Sequence, residues 1–293
     1  MKKAIIALFI VFTLIVSVGV IAVSAKKDKQ KFSLPENAVK VAPGVFYLGK
    51  AIDKGRVVEG YAFMLKDKKG FVKPGTVCGN GVCDPGENER KCPGDCGGED
   101  PEDPTEPDTS SCYGFLAKGA KWKTVEPYLV DPANNVGLSH GFIKNNLASD
   151  IDKWEDAAGV NILGNQGSGV VDRENIGDLN DKNEVIFADI KSQGAIGVTI
   201  VWGYFSGPPP FRELVEWDMV IDDADFDWGI EDPNKMDFEN IITHELGHSV
   251  GLDDLYDSKC SEMTMYGYAS EGETNKQTLE DGDTAGIQKL YSI

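Results

Sequence analysis

The stretch Asp237-Phe238-Glu239-Asn240-Ile241-Ile242-Thr243-His244-Glu245-Leu246-Gly247-His248-Ser249-Val250-Gly251-Leu252-Asp253-Asp254 decides how the rest of the chain is read. Phe238, Ile241, Ile242, Leu246 and Val250 recur at helical spacing, which predicts a helix over 237–250. Residues four apart share one helical face, so His244 and His248 can reach a single metal ion about 2 Å from each nitrogen. Glu245 can reach a water on that metal, where a carboxylate serves as general base. The chain has only three histidines, so two of them at this spacing around a glutamate is a rare coincidence. Gly251 permits a left-handed turn that a Cβ would disfavour. That turn brings Asp254 back toward the metal as a third ligand, with Asp253 and His140 as the other candidates for the place. Three protein ligands leave a fourth position open for water, as catalysis requires.

Two further segments follow in order: Cys260-Ser261-Glu262-Met263-Thr264-Met265-Tyr266-Gly267, and Asp283-Thr284-Ala285-Gly286-Ile287-Gln288-Lys289-Leu290-Tyr291. The string His244-Glu245-x-x-His248-x-x-Gly251-x-x-Asp254 resembles the extended motif of the metzincin zinc peptidases, with Asp where the third His is usual, as in the snapalysin group. Met265-Tyr266 is similar to the Met-turn of the matrixins, and 283–291 to their closing helix. Met263 competes for the Met-turn place, but only Met265 precedes a tyrosine. The resemblance covers roughly 112–293 and is strongest toward the C-terminus.

What the resemblance implies is specific. The fold class is α+β: a twisted mixed β-sheet over an active-site helix, with a small lower subdomain ending in the last helix. Zinc is the cofactor, held by His244, His248 and Asp254, with Glu245 as catalytic base and Met265 beneath the site. Tyr266 or Tyr268 lines a substrate pocket. Protein or peptide substrates add as a strand to the sheet edge, here expected at 196–205. A monomer is expected.

Composition narrows the partners. Against 29 Lys and Arg stand 48 Asp and Glu, a net charge of −19. Nucleic acid and anionic lipid are excluded as natural partners, because phosphate contacts need clustered cations. Asp222, Asp223, Asp225 and Asp227 crowd four carboxylates into one run; such runs are solvated loops or calcium sites, which makes calcium a candidate second cofactor.

The N-terminal part divides into short pieces. Residues 1–25 start with Lys2 and Lys3, stay uncharged from Ala4 to Ala25 and end Ala22-Val23-Ser24-Ala25, which reads as an export signal or a membrane anchor if retained. The destination is secreted or cell-surface, and a membrane is a partner only if this segment is kept. Residues 26–77 hold β-like runs, Val45 to Leu48 and Val57 to Leu65, and form a small β region that either packs on the main domain or serves as a removable propeptide. Four cysteines within 78–96 predict a disulfide-stapled knot, with zinc binding and a cysteine switch as alternatives. Residues 97–111, rich in Pro, Asp and Glu, form a linker. Cys112 and Cys260 lie outside the knot and pair by elimination.

The remainder, 112–293, is the metalloprotease domain. Strands are predicted at 121–130, 184–190, 196–205 and 214–221, and helices at 139–158, 237–250 and 281–291. The expected function is a secreted zinc endopeptidase. A secreted zinc-containing binding module and a non-peptide zinc hydrolase are its rivals.

Overall fold

The structure is a computed structural model and describes residues 30–68 and 109–291. The expected export segment, the cysteine-rich knot and most of the linker lie outside the described residues. Runs of β-branched and aromatic residues produce a nine-stranded mixed sheet. Its strands are β1 (Lys31–Phe32), β2 (Val39–Ala42), β3 (Val45–Asp53), β4 (Arg56–Asp67), β5 (Tyr128–Val130), β6 (Asn183–Ile190), β7 (Ala195–Tyr204), β8 (Glu213–Asp222) and β11 (Tyr268–Ala269). The small strands β9 (Trp228–Gly229) and β10 (Met236–Asp237) pair separately. Along the main path the order is β1-β6-β8-β7-β4-β3-β2, with β5 on β6 and β11 on β4. Pairing of β6 with β8 is parallel, and β7 lies antiparallel to both β8 and β4.

Three helices follow the predicted bounds closely. α1 (His140–Ala158) starts where the Ser139 hydroxyl accepts from the Phe142 amide and stops at Gly159, whose φ of 70° is the left-handed cap glycine adopts freely. α2 (Phe238–Ser249) begins at Asp237, whose carboxylate accepts from the Asn240 amide. α3 (Asp281–Tyr291) closes the described chain. α2 is buried along nearly its whole length, so its end needs internal partners. The indole of Trp122 donates to the Ser249 carbonyl at 2.8 Å, and the Tyr291 hydroxyl donates to that of Val250 at 2.9 Å.

Alternation along each strand builds two cores. On the helix side, Phe63, Leu65, Val201, Trp217 and Met219 pack with Trp154, Phe238, Ile241, Leu246 and Ile287. On the other face, Phe32, Leu48, Val58, Ala62 and Met64 pack with Ile186, Val198, Ile200, Trp202 and Val220. The 31–67 region therefore packs on the main domain: it pairs with β6 through β1 and with β7 through β4. The predicted strand 121–130 shrinks to β5, because Lys123 to Pro127 make no ladder and Trp122 turns to cap α2.

Three buried carboxylates, Glu184, Glu216 and Asp218, hold the 172–182 loop by accepting its backbone amides. Burial pushes Glu216 up to about 7, helped by Asp181 and opposed by the loop amides. Burial likewise pushes Asp218 well above the ordinary carboxylate range, with Glu216 and Glu184 adding repulsion. In the unfolded chain both return to about 4, so the native state keeps protons that the unfolded state releases. For Glu216 the stability this gives is complete below about pH 4 and is lost as pH rises through about 7. Scanning calorimetry from about pH 5 to about pH 8 is expected to show the thermal midpoint falling, by a few degrees more in wild type than in Glu216→Gln. Equal slopes would show that Glu216 does not titrate there.

Candidate metal centre

Helix α2 packs against β7 and carries His244 and His248, both fully buried. Each Nδ1 faces a backbone carbonyl, Thr264 O at 2.7 Å and Leu252 O at 3.0 Å. A carbonyl only accepts, so each Nδ1 carries a proton and Nε2 is the ring atom turned toward Asp254 and left for a metal. Gly251 returns the chain: its φ is 104°, and the amides of Gly251 and Leu252 close on the carbonyls of His248 and Gly247. Asp254 arrives with Oδ1 at 3.3 Å from His244 Nε2 and 3.4 Å from His248 Nε2.

These separations suit a cation. Tetrahedral ligands about 2.1 Å from a metal stand about 3.4 Å apart. His244 Nε2, His248 Nε2 and Asp254 Oδ1 are all buried without a hydrogen-bond partner, which is costly unless something charged accepts them all. Among the described residues they form the one group of three or more His, Cys, Asp or Glu side chains placed to hold a metal ion. The donor set of two imidazoles and one carboxylate suits zinc. Burial alone would raise the Asp254 carboxyl, but the two imidazoles facing it hold it below the ordinary range.

Glu245 lies beside this cluster, fully buried, with Oε1 unpartnered. Its Oε2 accepts from the Thr199 hydroxyl of β7 at 2.5 Å. Burial pushes the Glu245 carboxyl up to about 7, opposed by His248 and by Thr199. The side chain is thus held in one orientation with a free oxygen and a raised proton affinity, which is what a proton-transferring carboxylate needs.

Met265 lies under the helix at Gly247. A Cβ there would stand 2.1 Å from the Met265 sulfur, so no side chain fits at position 247. Asp283 of α3 holds the turn by accepting the amides of Thr264 at 2.8 Å and Met265 at 3.1 Å. Met263 packs instead against the Cys112–Cys260 disulfide, whose pairing is as expected. Tyr266 is buried and Tyr268 half-buried, their rings 5.8 Å apart.

Other expectations fare differently. His140 is exposed at the start of α1 and outside the cluster. Asp222, Asp223, Asp225 and Asp227 do not gather into a cation site, so of the two readings of this run the calcium site finds no support. Asp222 spends its oxygens on the amides of Ile190, Ala224 and Asp225, and Asp223 accepts from Asn135. Asp225 and Asp227 are exposed, so crowding in sequence is relieved by divergence and by backbone amides. The expected substrate edge at 196–205 is not an edge: β7 is paired on one side with β8 and on the other with β4. Sequence reasoning passed over Thr199, Asp283 and Tyr256, whose hydroxyl reaches Asp254 Oδ2 at 3.0 Å. None of these carries a spacing signal, because each acts across the fold.

Residues 211–292 match the family model of the matrixins, a span that holds β8, α2, the metal cluster, the Met265 turn and α3. A comparison with curated proteins gives no match. This C-terminal part, under a third of the chain, is thus similar to the matrixins, and the zinc metallopeptidase activity which that likeness suggests falls on the residues that bury an unpartnered His-His-Asp cluster.

Proposed function

We propose that the chain is an exported zinc endopeptidase. The observation that carries this reading is the buried, unpaired triad of His244, His248 and Asp254 with the free Glu245 oxygen beside it. The three residues would hold the ion through Nε2, Nε2 and Oδ1. When bound, zinc supplies a water of lowered pKa and polarises the scissile carbonyl. Glu245 takes the proton from the attacking water and delivers it to the leaving amine, while Thr199 keeps its carboxylate aimed. The carbonyls of Thr264 and Leu252 fix the imidazole tautomers. Tyr266 and Tyr268 flank the residue after the cleaved bond. The Cys112–Cys260 disulfide suits an oxidising destination, secreted or cell-surface.

A metal site kept only for structure would close with a fourth ligand and has no use for an unpartnered carboxylate beside it. That argues against a zinc-containing binding module. The test is hydrolysis of an unfolded protein by the metal-loaded chain, with and without chelator, beside Glu245→Ala. Loss of the general base is expected to slow turnover by about 10²–10⁴-fold with zinc content unchanged. Cleavage by the variant at the wild-type rate would remove Glu245 from this role. One zinc per chain with no cleavage under any condition that opens the cleft would favour the binding module.

A further inference from the structure

Beside Tyr266 lies a lysine with no exposed surface. Lys276 belongs to the short helical turn Asn275–Gln277 and is fully buried, which is rare for a lysine unless partners match both its charge and its hydrogen bonds. Its backbone amide donates to Asn240 Oδ1 at 2.7 Å, and Asn240 stands one turn before His244 on α2. Its ammonium is 5.7 Å from the centre of the Tyr266 ring. Lys68 stands 5.8 Å from the same ring. Lys276 is thus tied at its backbone to the metal-binding helix and at its charged end to the ring that follows Met265.

Charges and donors there do not balance. Glu273 accepts from Lys276 through Oε1 and from Lys68 through Oε2 at 3.2 Å. Burial alone would raise the Glu273 carboxyl, but the two lysines hold it below the ordinary range, so it stays ionised. Two ammonium groups therefore face one carboxylate, in a chain whose net charge is −19. Asp283 also acts on Lys276, but its oxygens accept the amides of Thr264, Met265 and Glu280. An ammonium has three N–H donors, and among the described residues Glu273 is the acceptor that meets the one on Lys276. The Nδ2 of Asn240 is likewise buried without a partner. Buried donors without acceptors are costly, and an ion pair made for packing alone has no use for them.

A carboxylate answers both needs, since it is anionic and accepts several N–H groups at once. We propose that Lys276 makes the site select a carboxylate side chain, Asp or Glu, on the residue after the cleaved bond. That residue is the one which Tyr266 and Tyr268 flank in the peptidase reading, on which this inference rests. The incoming carboxylate pairs with Lys276, with Asn240 Nδ2 as a further donor, while Glu273 keeps Lys68. An amide or apolar side chain in the same place brings no charge to meet the ammonium and is bound more weakly.

Two zinc-binding probes test this on the zinc-loaded full chain: a hydroxamate joined to a Glu residue, and the same hydroxamate joined to Gln. Both have amidated ends, so the Glu side chain holds the one carboxylate. A hydrogen bond to a charged group corresponds to about tenfold or more in affinity, and titration calorimetry is expected to find the Glu probe tighter by at least that factor. In Lys276→Met, which keeps the stem and leaves Glu273 paired with Lys68, the ratio should fall to about one while the Gln probe binds as before. A lysine that only holds the fold would weaken both probes alike and leave the ratio unchanged. In parallel, mass spectrometry of an unfolded protein digested by wild type should find cuts before Asp and Glu favoured over cuts before Asn and Gln. Equal affinity for the two probes in wild type, binding of neither, or the same preference in Lys276→Met overturns the proposal; cleavage before other residues then leaves the peptidase reading standing. A Glu preference that depends on Lys276, without cleavage in any form, supports the carboxylate site and removes the peptidase.

Discussion

Asp254→Ala is expected to empty the metal centre. The change opens a second solvent position on the ion and removes the one formal negative charge among the three ligands. Losing a partner that merely orients a ligand costs about 10–100-fold in metal affinity, so losing a ligand should cost at least about 100-fold. After dialysis against a weak chelator, wild type should keep close to one zinc per chain and Asp254→Ala far less. Asp254→His should keep its zinc. Asp253→Ala should also keep it, because Asp253 accepts the Asp254 amide and is not part of the cluster. Equal zinc in wild type and Asp254→Ala would remove Asp254 from the site, and with it the role of Gly251 in bringing the chain back.

The second large effect is on stability. Cys112 and Cys260 are 148 residues apart in sequence, and their bridge closes the whole span between them into one loop. In the chain-entropy account, a loop of that length is worth about 5 kcal/mol, although part of such an effect can be enthalpic. The double variant Cys112→Ser with Cys260→Ser should therefore unfold at a much lower denaturant concentration with a larger m-value, because the unfolded chain without the bridge exposes more surface. It should also lose order first near Met263, which packs on the bridge. An unchanged denaturation midpoint would mean that the reduced unfolded chain is as restricted as the bridged one.

What the sequence made legible was local. α2 and its caps, the histidine pair and the Gly251 reversal depend on residues within one or two turns of one another, and all appear where the periodicity puts them. α1 and α3 are legible for the same reason. The places where the expectation failed are long-range. Runs 45–48 and 57–65 are legible as strands, yet the pairing of the second with β7 joins residues more than a hundred positions apart. No local propensity encodes that, so β7 read as a free edge. The acidic run 222–227 failed for the opposite reason: charge density is visible in a sequence, whereas the amides of Ile190 and Asn135 that satisfy it are not.

Gly247 and Met265 act as a single choice. Eighteen positions apart in the numbering, they share one volume, since even a methyl group at 247 would overlap the sulfur. A variant library that diversifies either position alone will sample mostly clashes or voids beneath the histidines. One that shortens residue 265 while enlarging residue 247 conserves the volume, and only there do the two substitutions compensate each other rather than add. The tolerance of this site to change is thus a property of the pair and cannot be tabulated residue by residue.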